Sequence, residues 1–366
     1  MRSTFAIIHI KNLIFNFNQI RKQVLKSKVL AVVKADAYGH GVSQVVSALD
    51  ALKNSPEYFG TALTDEAIEV RKISQKPILI FEPLSFDNIN DIFSYDLEST
   101  IFSDHHLNLI SKTEFPNKLK VHIKIDTGMG RLGVDYKSAV DYIKWVSKNS
   151  KIEIKGIYTH FASSDAKNKK FAKLQLKRFN SIIAALKNEK IKVGLIHAAN
   201  SGAILDLPEA HFDMVRPGIS LYGYYPSTET SESIKLKPVM SLISEVDSIS
   251  QKEKGEAVSY NSLWRAKTKT NIATIPIGYA DGFNRNLTNK SKLIIGRKIY
   301  NQVGRVTMDR ICVNIGNENY KVGERVILLG NKGEIKIDAW DWSKILNTIP
   351  YEITCAISKR VPRVYK

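Results

Sequence analysis

The stretch KVLAVVKADAYGHG, residues 28–41, carries a lysine at the end of an apolar run and follows it with turn-forming residues. A short, almost wholly apolar run of this kind reads as a parallel strand buried on both faces. Lysine is among the residues least often fully buried. Lys34 at such a strand end either snorkels to solvent or does chemistry, and the neighbouring strands decide which.

Working outward, residues 28–225 alternate short apolar runs with longer amphipathic segments. The expected strands are KVLAVVK (28–34), EYFGTAL (57–63), PILIFEP (77–83), DLESTIF (96–102), LKVHIKID (119–126), IEIKGIYTH (152–160), IKVGLIHAAN (191–200) and FDMVRPG (212–218). Helical stretches lie between them. VSQVVSALDALK and TDEAIEVRKIS are two, the second with Thr64 as an N-cap and acids in its first turn, and FAKLQLKRFNSIIAALKNEK is the longest. Eight strand–helix alternations predict an α/β fold, an N-terminal (β/α)8 TIM barrel over residues 1–232. A doubly wound open sheet is the competing topology. The polar tract YPSTETSESIK (225–235) reads as a linker. Beyond it, short strand-like runs punctuated by Gly, Asn and Asp predict a mainly β domain over residues 233–366, with one late helix around AWDWSKILNTI.

Composition narrows the class. The 366 residues, 43% hydrophobic, suffice for one large core and a second smaller one. No signal-peptide pattern opens the chain and no window approaches a membrane span, so a cytoplasmic protein is expected. Cys312 and Cys355 lack metal-ligand or redox spacing and read as small core residues in a reducing compartment; no metal is expected. Lysine and arginine outnumber the acids 54 to 36, a net charge of +18. The cations are scattered, no basic block carries interleaved aromatics, and nucleic acid is not an expected partner. A diffuse positive field also attracts small anions.

In a barrel, chemistry gathers at the C-terminal strand ends. Here those ends carry Lys34, Lys124 with Asp126, His160, Asn200 with Ser201, and Arg216. Each alone is unremarkable, and a lone His after IYT is more often a satisfied core residue. Together on one rim they would form a costly cluster unless an anionic ligand compensates them. HAANSGA places Asn200 and Ser201 before a short helix whose amides could face a phosphate, and RPGIS adds flexible backbone at Gly218. A strand-end lysine opposite a phosphate site suits a Schiff base to an aldehyde cofactor. Pyridoxal 5'-phosphate meets these demands. Arg216, always a donor, would face an unprotonated pyridine nitrogen, weakening the ring as an electron sink and favouring prompt reprotonation.

At this point the chain resembles the alanine racemase family along essentially its whole length. The resemblance rests on AVVKADAYGHG, HIKIDTGMGRLGV, IYTHFASSD, HAANSG, MVRPGISLYG, VSYNSLW, PIGYADGFNR, VGRVTMD and KRVPRVY. It implies a homodimer whose active sites borrow residues from the partner's β domain. It implies that Lys34 and Tyr260 are the two bases, on opposite faces of the substrate, and that His160, Arg216 and His197 help ionise the phenol. Tyr38, Asn200, Ser201, Gly218 and Ile219 match phosphate-binding positions. Arg131 and Met308 match substrate-carboxylate positions, and Lys124 matches a lysine often carbamylated to hold Arg131. An ion pair with Asp126 is the simpler reading of Lys124. Asp165, Tyr279, Arg285, Arg305 and Asp309 match the access channel and its surroundings. The implied activity is interconversion of L- and D-alanine, supplying D-alanine for peptidoglycan.

Three positions depart from the family pattern: Asn261 where glycine is usual, Thr307 in place of a common cysteine, and Lys359 where some members have a tyrosine. A broad-specificity racemase, a fold-type III decarboxylase of basic amino acids, and a single-domain pyridoxal-phosphate-binding homeostasis protein are the other readings. Lys124, the lack of an export signal or a cysteine-containing donor loop, and the β domain bearing Tyr260 argue against them in turn.

Overall fold

The structure, a computed structural model, describes residues 3–366. It divides into two compact units, one of residues 14–37 and 42–236, the other, among the described residues, of 3–13, 38–41 and 237–366.

The first unit is a closed barrel. Eight parallel strands run in ring order Lys28–Val32, Tyr58–Thr61, Ile78–Pro83, Glu98–Ile101, Leu119–Asp126, Ile152–Tyr158, Leu195–His197 and Met214–Val215. Pairing of Met214 with Lys28 closes the ring, and Thr100 pairs with His122 across the fourth and fifth strands. Closure rules out the open doubly wound sheet. The longest helix, Lys170–Asn188, shows why these segments coil. Its buried Ala172, Leu176, Phe179, Ile183 and Leu186 recur at steps of four and three, so one stripe faces the sheet. Phe179 is wholly buried, and truncation to alanine there costs about 3–5 kcal/mol.

The second unit is built on a mostly antiparallel sheet, running in order Ser248–Lys252, Thr270–Ile275, Ile311–Gly316, Lys298–Val303, Lys292–Ile295, Arg325–Lys332, Met240–Glu245, Phe5–Ile8 and Arg363–Tyr365. The run KLIIGRKIYNQV folds as a hairpin because Gly296, at φ +61°, supplies the turn conformation that L-residues resist. The late helix is Ala339–Leu346, where Asp338 accepts from the Trp340 amide at 2.8 Å and Asp341 accepts from the Asp338 amide at 2.8 Å.

Five expectations need correction. Residues 5–8, assigned with 1–232 to the barrel, instead form a strand that pairs with Met240–Glu245 and Arg363–Tyr365 in the second sheet. Lys34 does not end its strand, which stops at Val32, but opens the next turn. Thr64 is not an N-cap: Leu63 holds that position, and both the Thr64 amide and hydroxyl donate to Glu82. Cys355, read as a small core residue, is exposed, and Cys312 is only partly buried. The tract 225–235, read as a linker, is tied down by hydrogen bonds. Its Ser227 hydroxyl donates to the Asp165 carbonyl, Glu229 accepts from the Lys167 amide, and Ser231 donates to Asp206.

Candidate functional site

The segment after the first barrel strand is wound against its natural hand. Ala35, Asp36, Ala37 and Tyr38 have φ between +52° and +55°, and Gly39 follows at +81°. For L-residues this conformation costs about 1–2 kcal/mol each, so four in a row persist only where neighbours over-determine them. Those neighbours are present. The Ala35 amide donates to Glu66 at 2.6 Å, the Ala37 amide donates to the Val33 carbonyl at 2.9 Å, and Asp36 accepts from the Val42 amide at 2.7 Å. Further on, Arg363 donates twice to the Gly39 carbonyl, and a side chain at Gly41 would collide with the Tyr365 phenol. Lys34 begins this turn, half-buried. Tyr38 packs in the second unit, its ring centroid 5.9 Å from that of Tyr351.

Cations crowd the C-terminal end of the barrel. Burial, then the charges of Arg131 and Arg216, push the Lys124 amine down to about 8, although Asp126 opposes the shift. Lys124 makes no ion pair with Asp126, whose carboxylate instead accepts from the Gly128 and Gly130 amides at 2.8 and 2.9 Å. The Lys124 ammonium lies 5.6 Å from the Tyr158 ring centroid, and the Arg216 guanidinium 5.2 Å from it. The Tyr158 ring stacks on His197 at 4.9 Å. Its phenol donates to Thr100, whose hydroxyl is committed to the Ile80 carbonyl. Burial pushes that phenol up to about 12, so it stays protonated.

Arg216 is buried and aimed by four acceptors. Its Nη1 donates to His197 Nδ1 at 2.9 Å, and its Nη2 faces the Thr159 carbonyl at 2.8 Å, the Ala198 carbonyl at 3.0 Å and His160 Nδ1 at 3.4 Å. A second Nη1 hydrogen is left for a ligand. Because arginine only donates, His160 carries its proton on Nε2. Burial, then Arg216 and Lys124, hold that imidazole well below its usual range, hence neutral.

The other barrel residues form a cradle of small donors. Asn200 caps the Ser201–Asp206 helix, accepting from the Ala203 amide at 3.1 Å and the Ser164 hydroxyl at 2.6 Å. Ser201 Oγ accepts from the Gly218 amide at 3.0 Å and lies 3.0 Å from Ser220 Oγ. Gly202 sits where a Cβ would meet Ser164 and Asp165 at 2.9 and 3.0 Å. Ile219, wholly buried, opens the following turn. Arg131 is exposed on the loop that Asp126 organises.

In the second unit, Tyr260, Tyr279, Arg285, Arg305, Met308 and Asp309 line one open cavity of about 420 Å³. Tyr260 is 67% exposed. Ser259, Asn261 and Ser262 around it have positive φ, and Asn261 at φ +60°, ψ +17° takes the left-handed conformation that asparagine tolerates best after glycine. The departure at 261 therefore preserves the backbone. Asp309 is drawn aside by Arg360 at 2.7 Å. Lys359 is exposed, whereas Tyr351 places a tyrosine against Tyr38.

Sequence reasoning passed over Tyr158, Gln175 and Tyr351. Gln175, wholly buried, donates to the His160 carbonyl at 3.1 Å and accepts from the Ala162 amide at 2.9 Å, fixing the backbone beside His160. A glutamine on the apolar stripe of a helix was its signal.

The donor set fits pyridoxal phosphate. Hydroxyls and amides about residues 200–220 suit a phosphate, the spare Arg216 hydrogen suits a pyridine nitrogen, and Lys34 offers an amine. The class of protein this defines is the barrel-type pyridoxal-phosphate enzymes. Family models described as "Alanine racemase, N-terminal domain" and "Alanine racemase, C-terminal domain" match residues 8–226 and 239–365. The chain is 41% identical to an alanine racemase of Clostridium novyi, covering 100% of this chain and 96% of the relative, and 42% identical to one of Treponema denticola, covering 100% and 98%. A solved alanine racemase of Clostridium difficile 630 superposes with a TM-score of 0.92 at 37% identity, over 100% of this chain and 96% of that one. This chain belongs to the alanine racemase family, pyridoxal-phosphate-dependent isomerases that interconvert L- and D-alanine.

Proposed function

We propose that Lys34 and Tyr260 are the two proton-carrying groups of this racemase, that Tyr260 reaches the site from a second copy of the chain, and that the homodimer makes D-alanine for peptidoglycan in the cytoplasm. Inversion at a carbon requires a proton removed from one face and returned to the other. Two fixed groups do this without turning the substrate over. The cofactor, when bound, supplies the electron sink that makes the α-proton of alanine removable.

Each side chain then has a task. Lys34, set at the head of a rigid left-handed turn, holds the cofactor and moves the proton on one face. Neutral His160 presents Nε2–H, which stabilises a phenolate and so lowers the effective basicity barrier for the Tyr260 oxygen. A phenol must lose its proton before it can act as a base, and a donor aimed at its oxygen favours that loss. Arg216 donates towards the ring nitrogen. Asn200, Ser201, Gly218, Ile219 and Tyr38 hold the phosphate, and Arg131 with Met308 receives the substrate carboxylate. Lys124, with its depressed pKa, is neutral often enough to take up carbon dioxide, and a carbamate there would neutralise Arg131. Asp165, Tyr279, Arg285, Arg305 and Asp309 restrict the approach to small side chains.

The observation that carries this reading is the exposed Tyr260 cavity on one unit together with a separate, buried cationic rim on the other. The experiment is L-alanine in deuterated water. D-alanine carrying solvent deuterium at the α-carbon supports racemisation, and loss of turnover in Tyr260→Phe supports the second base. Pyruvate, or an amine with loss of carbon dioxide, contradicts it.

A further inference from the structure

A TIM barrel interior is ordinarily packed with branched apolar side chains, yet this one buries a carboxylate. Glu98, 2% exposed, opens the fourth barrel strand. Its Oε2 lies 2.7 Å from His122 Nε2, His122 Nδ1 lies 2.9 Å from His197 Nε2, and His197 Nδ1 lies 2.9 Å from Arg216 Nη1. Both histidines are wholly buried. A line of three hydrogen bonds thus joins the guanidinium at the rim to a carboxylate inside the barrel.

The direction of every bond follows from one chemical fact. Arginine has no acceptor, so His197 Nδ1 must be bare and its proton must sit on Nε2. That proton points at His122 Nδ1, which must therefore be bare too. The proton of His122 then sits on Nε2 and is given to Glu98. Neither ring has room for a second proton, because each Nδ1 already faces a donor. The carboxylate is the only one of the four groups that accepts without donating, so it terminates the line. Burial and Arg216 hold the His197 imidazole well below its usual range, in keeping with a neutral ring.

The surrounding chain makes room for this arrangement. Gly156 on the neighbouring strand sits where a Cβ would lie 2.6 Å from both His122 Nδ1 and the Leu195 carbonyl. Tyr58 covers the far end, its ring edge-on to His122 at 6.1 Å.

We infer that Glu98 is a positioning residue: it fixes the tautomers of His122 and His197 and so aims and charge-balances Arg216, the group facing the cofactor ring nitrogen. This rests on the reading of Arg216 given above, but the tautomers can be measured without any cofactor.

The test is imidazole nitrogen NMR on the apoprotein labelled with ¹⁵N-histidine, paired with fluorescence titration of pyridoxal phosphate. In the unaltered protein both rings carry a single proton on Nε2. Glu98→Leu removes the acceptor, disturbs the His197 tautomer and weakens pyridoxal phosphate binding by about tenfold or more, the scale of one hydrogen bond to a charged group. Glu98→Gln, whose amide oxygen still accepts, restores both tautomers and most of the affinity. A proton on Nδ1 of either ring in the unaltered protein overturns the inference, whether or not the leucine variant folds. So does a folded Glu98→Leu with unchanged tautomers and affinity, or a glutamine variant that rescues neither. Correct tautomers with an Arg216→Ala protein that binds pyridoxal phosphate normally would fault the cofactor reading of Arg216 instead.

Discussion

The barrel interior and the cavity of the second unit both carry the polar groups of a catalytic site, and they hold them in opposite ways. In the barrel unit, Arg216, His197 and Gln175 are buried with two or more hydrogen bonds each, and buried Tyr158 is held by Thr100. Around the cavity, Tyr260, Tyr279 and Met308 stand 67%, 43% and 51% exposed. Large hydrophobic side chains gathered on one exposed face mark a surface that another molecule covers. The first region is finished within one chain, and on the reading proposed here the second is finished by another copy.

The comparison breaks most visibly at its two extremes. Lys34→Ala should remove the visible absorbance of lysine-bound cofactor and lower turnover by more than about 10⁴-fold. Tyr260→Phe should leave that absorbance in place while losing about 10²–10⁴-fold, the range of a positioned acid–base group. Spectra and kcat on the same preparations check both. Turnover unchanged in Tyr260→Phe would remove the exposed cavity from the chemistry.

Lys124 sharpens the buried side. In bicarbonate-free buffer its folded pKa of about 8 lies below the ordinary lysine value of about 10.4, so the unfolded chain binds more protons between these limits. Stability conferred through this group therefore rises as pH climbs from about 8 to 10.4, and its cost is fully present below 8. The difference amounts to about 3 kcal/mol. Lys124→Met should flatten that part of the denaturation-versus-pH curve. With ¹³C-bicarbonate added, a carbamate resonance should appear in the unaltered protein and not in the methionine variant.

The smallest effects belong to the exposed loop. Asn261→Gly should change stability by only a few tenths of a kcal/mol, since both residues accept φ +60°, whereas Asn261→Val should cost about 1–2 kcal/mol. Thermal denaturation separates the two. Equal costs would mean that the left-handed conformation beside Tyr260 is not retained.

Much of the barrel was legible because its strands are buried on both faces. Continuous apolar runs such as KVLAVV and LKVHIKID announce themselves, and the residues at their ends fall on one rim by geometry alone. The hand of the turn after Lys34 was not legible. ADAY has no glycine until residue 39, and what holds it leftward includes contacts from far along the chain, Glu66 and Arg363, beside the Asp36 side chain. The pairing of Phe5–Ile8 was hidden for a related reason: strand partners are chosen by tertiary packing, and the segment that pairs with it lies more than 230 residues away. Tyr351 was not legible because the ring next to Tyr38 comes from the helix Pro350–Ala356 rather than from the position beside RVPR. His122 and Glu98 did leave a trace, as polar residues inside otherwise apolar strands, but only their three-dimensional register joins them.

The central claim is that one catalytic site takes Lys34 from one chain and Tyr260 from another, and mixing two inactive variants tests it most directly. Lys34→Ala and Tyr260→Phe proteins, each nearly inactive, are combined under conditions that let subunits exchange. Every mixed dimer then holds one site with both residues intact, so random exchange should restore about a quarter of wild-type activity per site. A mixture that exchanges subunits and stays inactive would contradict the account.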